Sequence, residues 1–181
     1  METKRGMVHG RFQPFHNEHL EYLRGAAERS DEVWIGITNP DPERMKLEAS
    51  DPLRHLRESN PFSYAERLLM VKAAAADLGL EPASVHVIPF PVNEPALWPA
   101  YVPEGVTHYL RVFDAWGGTK LERLRDAGYE VVILDEGAEK RLSATEVREA
   151  LREGGDWEAL VPPGVARVLR ELHESRKVKT L

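Results

Sequence analysis

The 181-residue chain contains no cysteine. That absence removes disulfides, thiolate nucleophiles and cysteine-based zinc sites from consideration. No apolar run approaches the ~20 residues of a membrane span, and the N-terminus lacks a long apolar core. Positive charge is not in excess either. Thirty acidic residues stand against 24 basic ones, for a formal net charge of −6. A general nucleic-acid binder, which needs basic surface to release counterions, is therefore not expected, although a local basic pocket for a polyphosphate is compatible with this balance. There is no internal repeat and no low-complexity tract. What remains, 42% hydrophobic and 30% charged, is an ordinary globular composition. The length suits one α/β domain over residues 1–181, with a helical part from about residue 143. A cytoplasmic enzyme with no membrane partner is the expectation.

Strand and helix signals alternate along the chain. Met7 and Val8 close a first strand, and Leu20, Leu23 and Ala27 recur at helical spacing after it. Val33–Ile37 reads as a second strand, Val85–Ile88 as a third, Val106–Val112 as a fourth and Val131–Leu134 as a fifth. Helices are predicted over Ser63–Ala76, with Ala65, Leu68, Leu69 and Val71–Ala75 as its apolar face, and over Thr119–Ala127, Ser143–Leu151 and Val165–His173. Strands separated by helices imply a parallel sheet with right-handed crossovers. The polar, proline-containing segment from Asn39 to about Asn60 is long for a connection, and such loops are usually functional.

The most informative stretch is Gly10-Arg11-Phe12-Gln13-Pro14-Phe15-His16-Asn17-Glu18-His19. A strand feeds a helix through a loop containing glycine and proline, and the two histidines fall on the first helical turn. Free backbone N–H groups and the positive end of the helix dipole favour phosphate there. Imidazoles beside them can donate to phosphate oxygens and stabilise charge that grows during phosphoryl transfer. A metal site is the weaker reading, because the spacing is three rather than the four of HExxH and no third ligand is evident. A second group, Leu142-Ser143-Ala144-Thr145-Glu146-Val147-Arg148, brings hydroxyls and a guanidinium to another helix start, a ready anion site. A plainly capped surface helix explains Ser143 and Glu146 as well, since S-x-x-E is a common capping box. Ser63 and Glu66 form a third such pair, for which structural punctuation suffices.

These residues together resemble the HxGH nucleotidylyltransferase superfamily, and within it archaeal-type nicotinamide-nucleotide adenylyltransferases and the related phosphonate cytidylyltransferases. Gly10 to His19 resembles the first motif, Asn60 to Val71 an NPF-containing segment, Ala96 to Val102 a stretch before the fourth strand, and Leu142 to Arg148 the ISxTxxR motif. The likeness runs in order through nearly the whole chain. It implies a Rossmann-like, doubly wound parallel sheet with C-terminal helices. It also implies transfer of a nucleoside monophosphate from a triphosphate to a small phosphorylated acceptor, with pyrophosphate leaving and no covalent enzyme intermediate. By motif match, His16, His19, Arg11 and Arg148 would act on the phosphates, His19 foremost on transition-state charge. Gly10, Phe12, Gln13, Phe15, Ser143 and Thr145 would hold the nucleotide, and Arg111 and Asp114 would shape the base pocket. Mg²⁺ would ride mainly on the triphosphate with few protein ligands. The partners implied are small molecules, and the relatives form various homo-oligomers.

Three departures stand out. The glycine of HxGH is Glu18, which adds bulk and negative charge where glycine would let a ligand approach the backbone. The region after the fourth strand reads Arg111-Val112-Phe113-Asp114-Ala115-Trp116-Gly117-Gly118 in place of an Asn-Pro turn. The segment Asp41 to Ser59, with Arg44, Lys46, Arg54, His55 and Arg57, reads either as a cationic lid or as a solvated charged loop. Trp98 and Trp116 are candidates to stack on a pyridine ring, with packing as the alternative. Transfer of AMP from ATP to nicotinamide mononucleotide is the leading reading. CMP transfer from CTP to a phosphonate or phosphate is its close competitor, and a non-catalytic nucleotide sensor is the third.

Overall fold

The computed structural model describes residues 3–41, 45, 55–135 and 141–178. Among these residues five strands form one sheet: β1 (Arg5–Gly10), β2 (Glu32–Thr38), β3 (Val85–Phe90), β4 (Val106–Arg111) and β5 (Glu130–Asp135). Their spatial order is β3-β2-β1-β4-β5, and every neighbouring pair is parallel. Among the described residues five α-helices accompany them: α1 (Asn17–Ala27), α2 (Tyr64–Asp77), α3 (Ala115–Asp126), α4 (Ala144–Glu153) and α5 (Pro163–Val178). The doubly wound parallel sheet and the C-terminal helices are as expected from the sequence.

A strand buried on both faces reads as a nearly continuous apolar run, and β1 shows why. Met7 pairs with Trp34 and Val8 with Ile35. Val8 and Ile35 then face one core with Tyr22, Leu23, Met70 and Val165, beneath α1, α2 and α5. Met7 faces a second core with Phe90, Trp98, Leu110, Trp116 and Leu124. Each fully buried Leu or Met contributes roughly 1.5–3 kcal/mol. The chain winds outward from β1 to β2 and β3, then crosses to β4 and β5 on the other side. The strand order reverses between β1 and β4, and a crevice opens at their carboxyl ends, where open α/β sheets bind ligands.

Two expectations are corrected. The predicted face of α2 included Ala65 and Leu69, yet Ala65 is exposed and Leu69 is 51% exposed. The buried stripe is Arg67, Met70, Val71, Ala74 and Ala75, because Arg67 is drawn inward by carbonyls described below. Helix α3 begins at Ala115, not Thr119, with the Asp114 carboxylate accepting from the Gly117 N–H at 2.7 Å. An N-capping aspartate overrides the loop signal of Gly117-Gly118. The lid reading of residues 41–59 rests on Arg44, Lys46 and Arg54, which lie outside the described residues. Arg57 opens a short exposed 3₁₀ turn, Arg57–Ser59.

His108, on β4, is fully buried. It sits between His9, Phe90 and Tyr129. Among the described residues neither of its ring nitrogens has a hydrogen-bond partner. Burial disfavours the imidazolium and lowers its pKa from 6.5 to about 4. The unfolded chain therefore takes up this proton first. The associated stability is complete above pH 6.5 and is lost as pH falls toward 4, by about 2–3 kcal/mol at pH 4.5. Denaturant melts at pH 7.5 and 4.5 check this: the acid loss in the parent exceeds that in His108→Phe by about that amount.

Candidate functional site

The crevice is assembled from the first turns of α1, α3 and α4 and from the ends of β1 and β4. His16 is the N-cap of α1 and is 2% exposed. Its backbone N–H donates to His19 Nδ1 at 3.2 Å, and the two rings stack with centroids 3.7 Å apart. Since Nδ1 of His19 accepts, the neutral ring carries its proton on Nε2, a donor suited to an oxyanion. Phe12 and Phe15 hold the ring at 5.0 and 5.4 Å. Phe12 has φ of +53°, a left-handed conformation that costs a bulky residue on the order of 1–2 kcal/mol. Burial of its ring to 1% exposure offsets that strain. The result is a rigid loop that aims His16 and His19 at the crevice, and both line it.

The loop is anchored from behind. Arg67 donates to the carbonyls of Arg11 (2.9 Å), Thr38 (2.7 Å), Asn39 (2.8 Å) and Ser63 (3.3 Å). Gln13 exchanges two hydrogen bonds of 2.9 Å with the backbone of Phe62. Its amide is therefore committed to the protein, although Gln13 also borders the crevice. The Asn60–Val71 segment, legible in the sequence as capping punctuation, is what locks the histidine loop to the sheet.

At α4, Ser143 accepts from the Glu146 N–H at 3.3 Å and donates to Glu146 Oε2 at 2.6 Å. Arg148 reaches the Gln13 carbonyl at 2.8 Å and Thr145 Oγ1 at 3.0 Å. Burial lowers the pKa of this guanidinium. Arg148 thus ties the start of α4 to the histidine loop. Gly10, Arg11, Ser143 and Thr145 face the crevice beside the histidines. Two helix starts and the Thr145 hydroxyl beside the histidines make the crevice a candidate anion site.

The other wall is charged and compensated. Arg111, at the end of β4, donates to Glu18 Oε2 and to the Glu18 carbonyl, each at 3.1 Å. It also pairs with Asp135 at 2.7 Å and lies over the Phe113 ring at 4.9 Å. Arg141 donates to the second Glu18 oxygen at 3.0 Å. Asp114, Trp116 and Lys120 complete this wall. Tyr22 also borders the crevice. Its hydroxyl donates to the Tyr109 carbonyl, and burial pushes its pKa up, so it stays a fixed donor.

Three expected residues are not brought to the crevice wall: Arg148, which stands behind Thr145 and the Gln13 carbonyl, Phe15 and Trp98. Phe15 is 1% exposed within the first core, behind His19. Trp98 is 1% exposed in the second core, stacks toward Phe90 and donates its indole N–H to the Pro91 carbonyl at 2.9 Å. The packing alternative for Trp98 is the one the fold uses. Tyr22 and Lys120 were missed. Lys120 lies four residues beyond Trp116 on one helical face, a pairing visible only once Asp114 is recognised as the cap of α3.

The model of the cytidylyltransferase-like family matches residues 7–150. The phosphonoformate cytidylyltransferase of Streptomyces viridochromogenes is 40% identical over 174 residues, spanning 96% of this chain and 95% of that one. The nicotinamide-nucleotide adenylyltransferase of Thermococcus onnurineus is 37% identical over 180 residues, 98% of this chain and 88% of its own length. Among solved structures, the bifunctional NMN adenylyltransferase/ADP ribose pyrophosphatase of Francisella tularensis superposes with a TM-score of 0.64 at 17% identity, over 90% of this chain and 46% of that protein. The chain thus spans about half the length of that structural relative, and the likeness there is one of fold.

Proposed function

The chain belongs to the cytidylyltransferase-like family and is a nucleotidyltransferase, and on that footing we propose that it transfers CMP from CTP to a small phosphonate or phosphate acceptor, releasing pyrophosphate. The observation that carries this choice is Trp98. The ring expected to stack on a pyridine is turned into the second core, whereas Lys120 of α3 borders the crevice as a cation that suits a compact anion. The high coverage of the Streptomyces relative supports it. The second reading, AMP transfer from ATP to nicotinamide mononucleotide, is favoured by Trp116, which does border the crevice, and by the archaeal relatives. The sensor reading rested on Glu18 as an intrusive charge, and that motive falls away because Arg111 and Arg141 compensate it.

In the proposed mechanism the triphosphate lies along the starts of α1 and α4. Arg11, His16 and His19 face the α-phosphate, and Ser143 and Thr145 face the departing pyrophosphate. Arg148 fixes Thr145 and the Gln13 carbonyl in place and adds positive charge beside the pyrophosphate. An acceptor oxygen forms a bond to the α-phosphorus as the bond to the bridging oxygen breaks. The negative charge passes to pyrophosphate, and His19 Nε2–H donates to the oxygen on which charge grows. Gly10, Phe12 and Gln13 form the floor beneath the nucleotide, with Phe15 supporting it from the core.

Nucleotidyltransferases of this kind work with a divalent ion, and we assign Mg²⁺ carried on the triphosphate. The crevice fits a metal–nucleotide complex: it presents N–H groups, hydroxyls and guanidinium groups, while its carboxylates Glu18 and Asp114 are held by arginines and by the Gly117 N–H. Among the described residues no group of three or more His, Asp or Glu is set to hold an ion. When bound, the ion neutralises phosphate charge. No helix among the described residues is long and apolar enough to cross a membrane, and a cytoplasmic homo-oligomer acting on small molecules is part of the proposal.

The test is pyrophosphate release from CTP, ATP, GTP and UTP against phosphonoformate, other small phosphonates, nicotinamide mononucleotide and nicotinate mononucleotide. Release with CTP and a phosphonate is expected. Release only with ATP and a pyridine mononucleotide establishes the second reading instead.

A further inference from the structure

Glu18 is the second residue of α1, between the two crevice histidines, and it borders the crevice while remaining only 9% exposed. Both of its carboxylate oxygens are tethered, Oε1 to Arg141 at 3.0 Å and Oε2 to Arg111 at 3.1 Å. The side chains of Glu18 and Arg111 are themselves nearly buried, at 10% and 9% exposure. Arg111 is fixed in turn by Asp135 at 2.7 Å and packs on Phe113. A side chain held at both ends by guanidinium groups cannot swing aside to admit a ligand without breaking two charge-assisted bonds, one of them in a poorly solvated place. A glycine at this position leaves the backbone of the first helical turn open. Here that space is filled by a carboxyethyl group and by the arginine clamped to it.

We propose that the Glu18–Arg111 pair is a wedge that sets the size of the nucleoside, admitting a single-ring base and excluding a purine. The proposal rests on the reading of the crevice as a nucleotide site and adds to it the residue that selects among nucleotides. The wedge is compensated, so its net effect is steric: the carboxylate faces two cations, and the crevice keeps its attraction for polyphosphate. Loss of Glu18 leaves Arg111 paired with Asp135, so the wall on β4 and β5 keeps its own ion pair.

The experiment measures binding of Mg·CTP and Mg·ATP by titration calorimetry, without acceptor, in the parent, Glu18→Gly, Glu18→Ala and Glu18→Gln. A thermal melt of each variant monitors folding. The ratio of the two dissociation constants cancels damage common to both nucleotides. The preference for CTP is expected to fall about tenfold or more in Glu18→Gly, chiefly by tighter ATP binding, and to stay within about threefold of the parent in Glu18→Gln, which keeps the volume. An unchanged ratio in Glu18→Gly overturns the wedge. An equal fall in Glu18→Gln also overturns it, because the cause is then charge and not volume. If Glu18→Gly does not fold, Glu18→Ala carries the same test in the same direction. A parent that binds ATP in preference to CTP overturns the wedge together with the cytidylyl reading. A parent that binds CTP preferentially yet releases pyrophosphate with no phosphonate or phosphate acceptor overturns the cytidylyl reading alone, and the ratios among the variants then still judge the wedge.

Discussion

His19→Ala is expected to lower kcat by ~10²-fold or more, with little change in nucleotide affinity. The size follows from the loss of one preorganised donor at a site of developing charge. The lack of effect on affinity follows from the proposed binding mode, in which the rest of the crevice lining, Ser143 and Thr145 among it, would continue to hold the triphosphate. The geometry makes the donor specific. His19 Nδ1 is engaged by the His16 N–H, the ring is stacked on His16 and Phe12 meets it edge-on, so Nε2–H is presented without rearrangement. Steady-state kinetics with the calorimetric Kd separate the two quantities. The substitution also removes the acceptor for the His16 N–H, at a cost of about 1 kcal/mol to the start of α1, and a melt accounts for that. Turnover near the parent value contradicts the assigned role.

Arg67→Ala is expected to destabilise the fold by about 3–5 kcal/mol, the largest effect of any single change considered. Arg67 is 1% exposed, and its removal takes the guanidinium donors from the carbonyls of Arg11, Thr38 and Asn39, while the Ser63 carbonyl keeps the backbone N–H of residue 67. Each buried orphan costs roughly 1–3 kcal/mol before water enters to relieve it. Burial lowers the guanidinium pKa to about 10, so it is charged throughout the neutral range and answers the carbonyl dipoles as a cation. Asn39 adds to the dependence, since it sits at φ +50° and its carbonyl is one of those held. Arg67→Lys does not restore stability, because one ammonium cannot meet several carbonyls spread around a planar fork. Urea titration of the three proteins reads this directly, and a loss under 1 kcal/mol in Arg67→Ala contradicts it.

The parallel sheet was legible because β2 to β5 are short runs rich in β-branched and aromatic residues, and because the loop from Gly10 to His19 marks where β1 turns into α1. Both helix starts were legible from residue type and spacing as candidate anion sites, although the one at Ser143 reads as readily as a plain capping box. What escaped were effects that depend on partners distant in sequence. Arg67 reads as a surface residue beside a capping box until Arg11 and Thr38 are folded against it. Trp98 reads from sequence either as a ring stacked on a pyridine or as packing beside a proline-rich loop, and Phe90 and the Pro91 carbonyl hold it in the core. Glu18 reads as an intrusion into a glycine position, and only its contacts with Arg111 and Arg141, 93 and 123 residues away, show it to be compensated. Helix α3 starts four residues before Thr119, because the Asp114 cap draws Gly117 and Gly118 into its first turns.

The most direct test of nucleotidyl transfer in this crevice is to follow CTP, Mg²⁺ and phosphonoformate with the parent and with His19→Ala by phosphorus NMR. The account predicts pyrophosphate and a cytidylylated acceptor formed in equal amounts, dependent on the acceptor and slowed ~10²-fold or more in the variant. Pyrophosphate formed without acceptor, or at the same rate in both proteins, contradicts it.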